Sequence, residues 1–252
     1  MTALLEVMAT GLGLLMLAGA LAGIVRGFAG FGTALVFLPI AGVILPPIEA
    51  VWVLTTLEVI GPMFILRRIW PDVAFDDVKP LLIAALLALP FGVYVLTLIG
   101  PEVFRTIVAV VSLLLLAALI FGLRLPAQIS KRMAGATGAV SGFLAGVAGV
   151  PGPPVMLMFA ATHAPAKRIR ANMMIYLIVI DVALMSVLTL RGHFHWESLL
   201  VGLCVLGPYI GGLRLGSWIF RPEFKRAYTY VAYGIIALSA CVGLCQSWVS
   251  YG

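Results

Sequence analysis

The class this sequence predicts is an all-α polytopic membrane protein, an inverted-topology repeat of two five-segment halves with eight to ten membrane segments and Gly/Pro-broken helices. Three observations carry that reading. The 252 residues are 63% hydrophobic and 10% charged, with a mean hydropathy of +1.16, whereas soluble domains carry about 25% charged residues. The apolar residues lie in continuous runs of about 20, the length of a membrane-crossing helix, and not in the short alternating segments of a β-barrel. Glycines of the first half also recur in register in the second. A water-soluble enzyme, a disordered chain and a disulfide scaffold are excluded by composition alone.

Ten apolar pieces lie between polar breaks, at 3–25, 28–46, 50–66, 79–99, 103–123, 133–149, 152–162, 171–190, 197–220 and 227–249. The first has no Lys or Arg before Arg26, so it lacks the basic start of a cleavable signal peptide and reads as a helix. The glycine-dense sixth and the eleven-residue seventh are short for a span. Eleven residues rise about 16 Å as a helix, half the hydrocarbon thickness, so these two are compatible with a hairpin that enters and leaves on one side.

The connections set the orientation. Arg67, Arg68 and Lys79 follow the third piece, and Arg124, Lys131 and Arg132 the fifth. Lys167, Arg168 and Arg170 follow the seventh, and Arg221, Lys225 and Arg226 the ninth. Alternate threading puts all four clusters on one side, leaving Arg105 and Arg191 opposite, beside Glu49, Glu102 and Glu197. The positive-inside rule makes the rich side cytoplasmic. Both termini are then expected on the outer side of the membrane. The formal charge of +6 is thereby explained without nucleic acid.

At an offset of 119, Gly19, Gly23, Gly27 and Gly30 fall on Gly138, Gly142, Gly146 and Gly149. With 27 glycines in the chain, four such coincidences have odds on the order of 10⁻⁴ at a given offset. The offset then drifts to 121, where Pro101-Glu102-Val103-Phe104-Arg105 meets Pro222-Glu223-Phe224-Lys225-Arg226. The halves are 1–125 and 126–252. Five segments is an odd number, so the second copy enters the membrane from the opposite side, the plan of many secondary transporters.

The corresponding cores read Arg26-Gly27-Phe28-Ala29-Gly30-Phe31-Gly32-Thr33 and Gly146-Val147-Ala148-Gly149-Val150-Pro151-Gly152-Pro153-Pro154. Proline stops a helix and dense glycine weakens it, so both stretches should break. Backbone freed in hydrocarbon must be buried or line a cavity, and the amides opening the next half-helix then carry partial positive charge. Gly27, Gly30, Gly32, Thr33, Gly149 and Gly152 are therefore candidate ligand-binding positions. The every-fourth-residue spacing of the preceding glycines is that of close helix packing.

Four ionisable residues lie within or against apolar pieces: Arg26, Glu58, Asp181 and Arg214. Each costs about 2.5–3.5 kcal/mol at the bilayer centre, so each is expected to face protein or water. The functional reading assigns Arg26 and Arg214 to anion binding, and Glu58 or Asp181 to proton coupling. The plain alternative is mutual neutralisation, with Arg214 snorkelling to the interface. Asn172 and Tyr176, a turn apart, are further candidates for ligand hydrogen bonds, or else satisfy neighbouring backbone.

Cys204, Cys241 and Cys245 lie in apolar runs and imply no disulfide framework. His193 and His195 have Glu197 nearby but no evident third and fourth metal ligands, and read as an interfacial loop with Trp196. His163 lies in a basic loop without an evident partner. No GxxxxGK[ST] occurs, so no P-loop is expected. No cofactor or metal is implied, and an enzyme is disfavoured because all three histidines lie in loops.

The glycine-rich cores, each followed by an apolar half-helix (Gly27 to Pro39, and Gly146 to Met158), resemble those of the TauE/SafE sulfite exporter family, also called the 4-toluene sulfonate uptake permease family. Chain length and Ala171-Asn172 opening the next helix match as well. Pro151 in the second core, and Phe31 and Thr33 in the first, depart from the family's usual glycine run. The resemblance implies transport of sulfite, sulfoacetate or other organosulfonates across the bacterial inner membrane. The expected partners are a small anion, the bilayer and protons, with a homodimer as an open assembly state. An uncoupled anion channel would use the same residues, and a membrane subunit dependent on a partner is a further alternative, favoured by loss of all activity on purification without that partner.

Overall fold

Long apolar runs satisfy their own backbone only as helix, and every regular element among the described residues is helical. The computed structural model describes residues 11–121, 130–160, 162, 164–219, 234 and 237. Apart from residues 234 and 237 the tenth piece lies outside them, as do Arg124, His163, Arg221, Lys225, Arg226, Cys241 and Cys245.

The helices are α1 (Leu12–Ala29), α2 (Thr33–Ile44), α3 (Pro47–Ile60), α4 (Met63–Ile69), α5 (Phe75–Leu98), α6 (Pro101–Ile120), α7 (Lys131–Ala148), α8 (Gly152–Ala160), α9 (Ala166–Leu190) and α10 (Trp196–Ile219). A 3-10 turn, Trp70–Asp72, links α4 to α5. Among the described residues four helices are long and apolar enough to cross a membrane: α5, α6, α9 and α10.

The first helix runs through Arg26 and Gly27 to Ala29 before the chain turns, four residues beyond the end of the first apolar piece. The third piece is not continuous either. It breaks at Gly61-Pro62 between α3 and α4, because Pro62 has no N–H to donate and its ring crowds the carbonyl one turn back.

The chain forms two compact units. The first gathers α1, α2, most of α3, most of α6, and α10. Here α1 packs along α10. A Cβ on Gly23 would strike the Tyr209 carbonyl and lie 2.9 Å from the Leu213 nitrogen. Gly212 and Gly216 reciprocate against the backbone of Ala20 and Ile24. α3 is buried without interruption from Ala50 to Glu58, the burial of a helix surrounded by protein on every face. Its Thr55 and Thr56 hydroxyls donate back to the Val51 and Trp52 carbonyls. At the far end of α2, Arg105 Nε of α6 donates to the Gly42 carbonyl at 2.6 Å. That carbonyl has no helical donor, because the chain leaves α2 at the extended Leu45 and the next residue is Pro46, which favours extended backbone before it and carries no N–H.

The second unit gathers α4, α5, α7, α8 and α9. α7 packs along α5 through Gly138, Gly142 and Gly146, which meet the backbone of Leu81, Ala85 and Leu89. α9 lies against α5 and α8. The glycine spacing read as packing is packing in both units.

The two units are built alike. α1 and α7 both have 18 residues, and both ends of α7 lie 119 residues beyond those of α1. α5 and α10 both have 24, at a displacement of 121. α9 starts 119 residues after α3 and ends 121 after α4, so its length matches that of α3 and α4 together with the break at Gly61-Pro62. The helix pairs α1 with α10 and α7 with α5 each join one element from either half of the sequence.

Candidate functional site

Both cores break where dense glycine and proline predict. In the first unit, α1 closes on Gly30, whose left-handed φ of 81° lets its N–H reach the Arg26 carbonyl at 2.8 Å. Gly32, at φ 100°, is the N-cap of α2. Two such residues in three turn the chain sharply, a conformation side chains other than glycine rarely adopt. The turn sets Arg26, near the end of α1, over the start of α2. Its Nη1 donates to Thr33 Oγ1 at 3.1 Å, and the Thr33 hydroxyl lies 3.4 Å from that of Tyr209 on α10. Arg26 is 2% exposed, Thr33 and Tyr209 0%.

Electrostatics make this cluster unusual. The opening amides of α2 have no helical acceptor and present partial positive charge. A guanidinium beside them adds a full charge of the same sign, where a helix start ordinarily favours an acid. The guanidinium, two hydroxyls and the opening turn of α2 thus lie together in one buried cluster.

The second unit repeats the turn with different chemistry. α7 closes on Gly149 at φ 66°, and α8 begins at Gly152. Ser141 Oγ of α7 donates to the Pro151 carbonyl, and Tyr176 Oη of α9 donates to Ser141 Oγ at 2.6 Å. Tyr176 thus helps hold the break in shape. Pro153 and Pro154 carry no N–H, so the first turn of α8 keeps donors only at Gly152 and Val155. The amide cluster expected at both half-helix starts is full at α2 and depleted at α8.

The remaining candidates separate from these clusters. Asn172 Oδ1 accepts from the Ala74 N–H at 2.8 Å, and its Nδ2 lies 3.5 Å from Asp77 Oδ2, which also takes Arg168 Nη2 at 2.9 Å. Asn172 therefore ties the start of α9 to the start of α5. Gly27 lies against α10, where a Cβ would be 2.5 Å from the Leu213 carbonyl. Arg214 is exposed on α10, whereas Arg26 is buried. Glu58 and Asp181 are 3% and 1% exposed.

Two partners escape sequence reading: Tyr209, 176 residues from Thr33, and Ser141, 35 from Tyr176. The available signal is that a tyrosine within an apolar helix needs a partner for its hydroxyl. In the His193–Glu197 region, burial pushes the Glu49 carboxyl up, opposed by His195 and assisted by Glu197. Among the described residues no group of three or more His, Cys, Asp or Glu is placed to hold a metal. Cys204 carries a free, exposed thiol.

Among the described residues, four crossing-length apolar helices, two glycine-turned helix breaks and a buried arginine are the features of a multi-pass membrane protein. The chain belongs to the sulfite exporter TauE/SafE family, whose model matches residues 15–243. Members of that family are membrane transporters of sulfur-containing anions, not enzymes. No curated protein and no solved structure matches the chain.

Proposed function

We propose that this chain is a secondary transporter for a small sulfur-containing anion, such as sulfite, sulfoacetate or another organosulfonate, working by alternating access in the bacterial inner membrane. The observation that carries the reading is the buried Arg26–Thr33–Tyr209 cluster at the start of α2. A sulfonate or sulfite offers three oxygens to the guanidinium, the hydroxyls and the opening amides of α2, and charge-assisted hydrogen bonds of this kind are the strong ones. The duplicated helix bounds support an inverted repeat, with both termini periplasmic by the positive-inside rule. Glu58 and Asp181, at buried positions in an apolar chain, are the proton-coupling acids of this proposal.

The test is current on solid-supported membranes carrying the purified protein, with sulfite, sulfoacetate, isethionate and matched carboxylates, with and without a pH gradient. A saturable current for sulfur anions but not carboxylates is expected. Arg26→Ala should weaken the apparent affinity by about 2 kcal/mol, the value of a desolvated charge-assisted contact. Glu58→Gln or Asp181→Asn should abolish accumulation against a gradient while sparing exchange. Current without saturation or counterflow would assign a channel instead. Silence towards every anion in folded protein would sink the anion assignment.

A further inference from the structure

A cavity of about 330 Å³ opens within the second unit, away from the helix break. Three helix starts converge on it: Asp76 and Asp77 from the first turn of α5, Lys131 from the first of α7, and Arg168 from the first of α9. The buried Met158 and Phe159 at the end of α8 add apolar lining. Ser130 and Thr162 line it as well. Neither hydroxyl is idle: Ser130 caps α7 by accepting from the Met133 N–H, and Thr162 donates to the Phe159 carbonyl.

The charges decide what such a cavity accepts. Lys131 and Arg168 sit in opening turns, where the helix dipole opposes a cation. An anionic group lodged between them would offset that cost and meet amide donors of the same sign. Asp77 is already engaged, by Arg168 at 2.9 Å and Asn172 at 3.5 Å. Asp76 is not held so firmly. Its 3.8 Å pairing with Lys79 is fully solvated on the acid's side, and exposed pairs of this kind contribute little. The lining therefore presents both signs of charge on different helices, together with the buried Met158 and Phe159. A simple anion would face two carboxylates there, and a simple cation would face two bases. About 330 Å³ lies at the small end of ligand sites.

We propose that this cavity is a second binding site, distinct from the Arg26 cluster, for a small zwitterion: a primary ammonium against Asp76, a short methylene spacer over Met158 and Phe159, and a phosphate- or sulfonate-like group against Lys131 and Arg168. A free aminoalkyl phosphate or sulfonate has this chemistry, and so does the headgroup of phosphatidylethanolamine.

The probe is 2-aminoethyl phosphate, titrated calorimetrically into the purified full-length protein in phosphatidylglycerol nanodiscs, against ethyl phosphate and ethanolamine. The zwitterion should bind more tightly than either single-charge analogue by about tenfold or more, the value of one charge-assisted contact. Lys131→Gln should reduce its affinity to that of ethanolamine, and Asp76→Asn to that of ethyl phosphate. Both side chains are exposed, so the variants should keep the parent's thermal transition. Lys131→Arg should retain binding, which a merely structural role for the lysine would not require. Equal binding of all three probes, or zwitterion affinity unmoved by both neutralising variants, would overturn the proposal. Repeating the titration in phosphatidylethanolamine nanodiscs separates the sources. Loss of binding assigns the cavity to the headgroup, and unchanged binding assigns it to a free solute. Arg26→Ala should leave the titration unaltered, so this site stands or falls separately from the transport reading.

Discussion

Helix α7 contains a matched pair of glycines that should respond to the same substitution with opposite signs. Gly142→Ala would place a methyl group 2.5 Å from Ala85 Cα and 2.6 Å from the Ala85 carbonyl carbon on α5. These are backbone atoms, so no side chain can rotate away. Reaching ordinary contact requires α5 and α7 to separate by about 1 Å, a gap that forfeits a quarter to a half of each dispersion contact along the seam. Overpacking of this kind costs about 1–3 kcal/mol. At Gly135 nothing lies within 4 Å of the added methyl. There Gly135→Ala keeps only the gain in helix propensity, about 0.5–1 kcal/mol. For a chain of this size, 1 kcal/mol moves Tm by about 2–4 °C. Thermal unfolding in detergent, followed by tryptophan fluorescence, should therefore show Gly142→Ala falling by roughly 2–12 °C and Gly135→Ala rising by roughly 1–4 °C. A neutral or stabilised Gly142→Ala would refute the close approach of α5 and α7.

Further tests address single contacts. Thr33→Val keeps the volume but removes the acceptor for Arg26; a hydrogen bond to a charged group contributes about 1.5–3 kcal/mol, so thermal stability should fall while Thr33→Ser stays close to the parent. Arg105→Met leaves the Gly42 carbonyl without its donor and should cost about 1–3 kcal/mol, read as a lowered unfolding temperature that Arg105→Lys only partly restores. Burial raises the Glu49 carboxyl, so its neutral form is favoured in the folded chain. Its contribution to stability is therefore complete below the ordinary carboxylate pKa and is lost as pH rises through the raised folded value. Glu49→Gln should flatten the dependence of Tm on pH in that window, and an unaltered slope would count against a desolvated Glu49.

Much of this protein can be read along the chain because hydrocarbon leaves few choices. A sequence this apolar must close its own backbone hydrogen bonds, so helix and membrane follow from composition alone. The same holds for the two helix breaks, since Gly30, Gly32, Gly149 and Pro151 act on their own backbone, whatever surrounds them. The glycine rows of α1 and α7 announced close packing by their spacing, and the cores carried the resemblance to the family to which the chain belongs. What tertiary structure decided is the partner of each polar group. No local rule places Tyr209 beside Thr33, Ser141 beneath Tyr176, Asn172 on the Ala74 amide or Arg105 on the Gly42 carbonyl, because each pair joins helices distant in sequence. The same packing left Arg214 exposed while burying Arg26, although both are arginines in apolar runs. Periodicity reports which face of a helix is apolar, whereas a hydrogen bond needs two groups within about 3 Å. Only the way the helices cross brings the second group there.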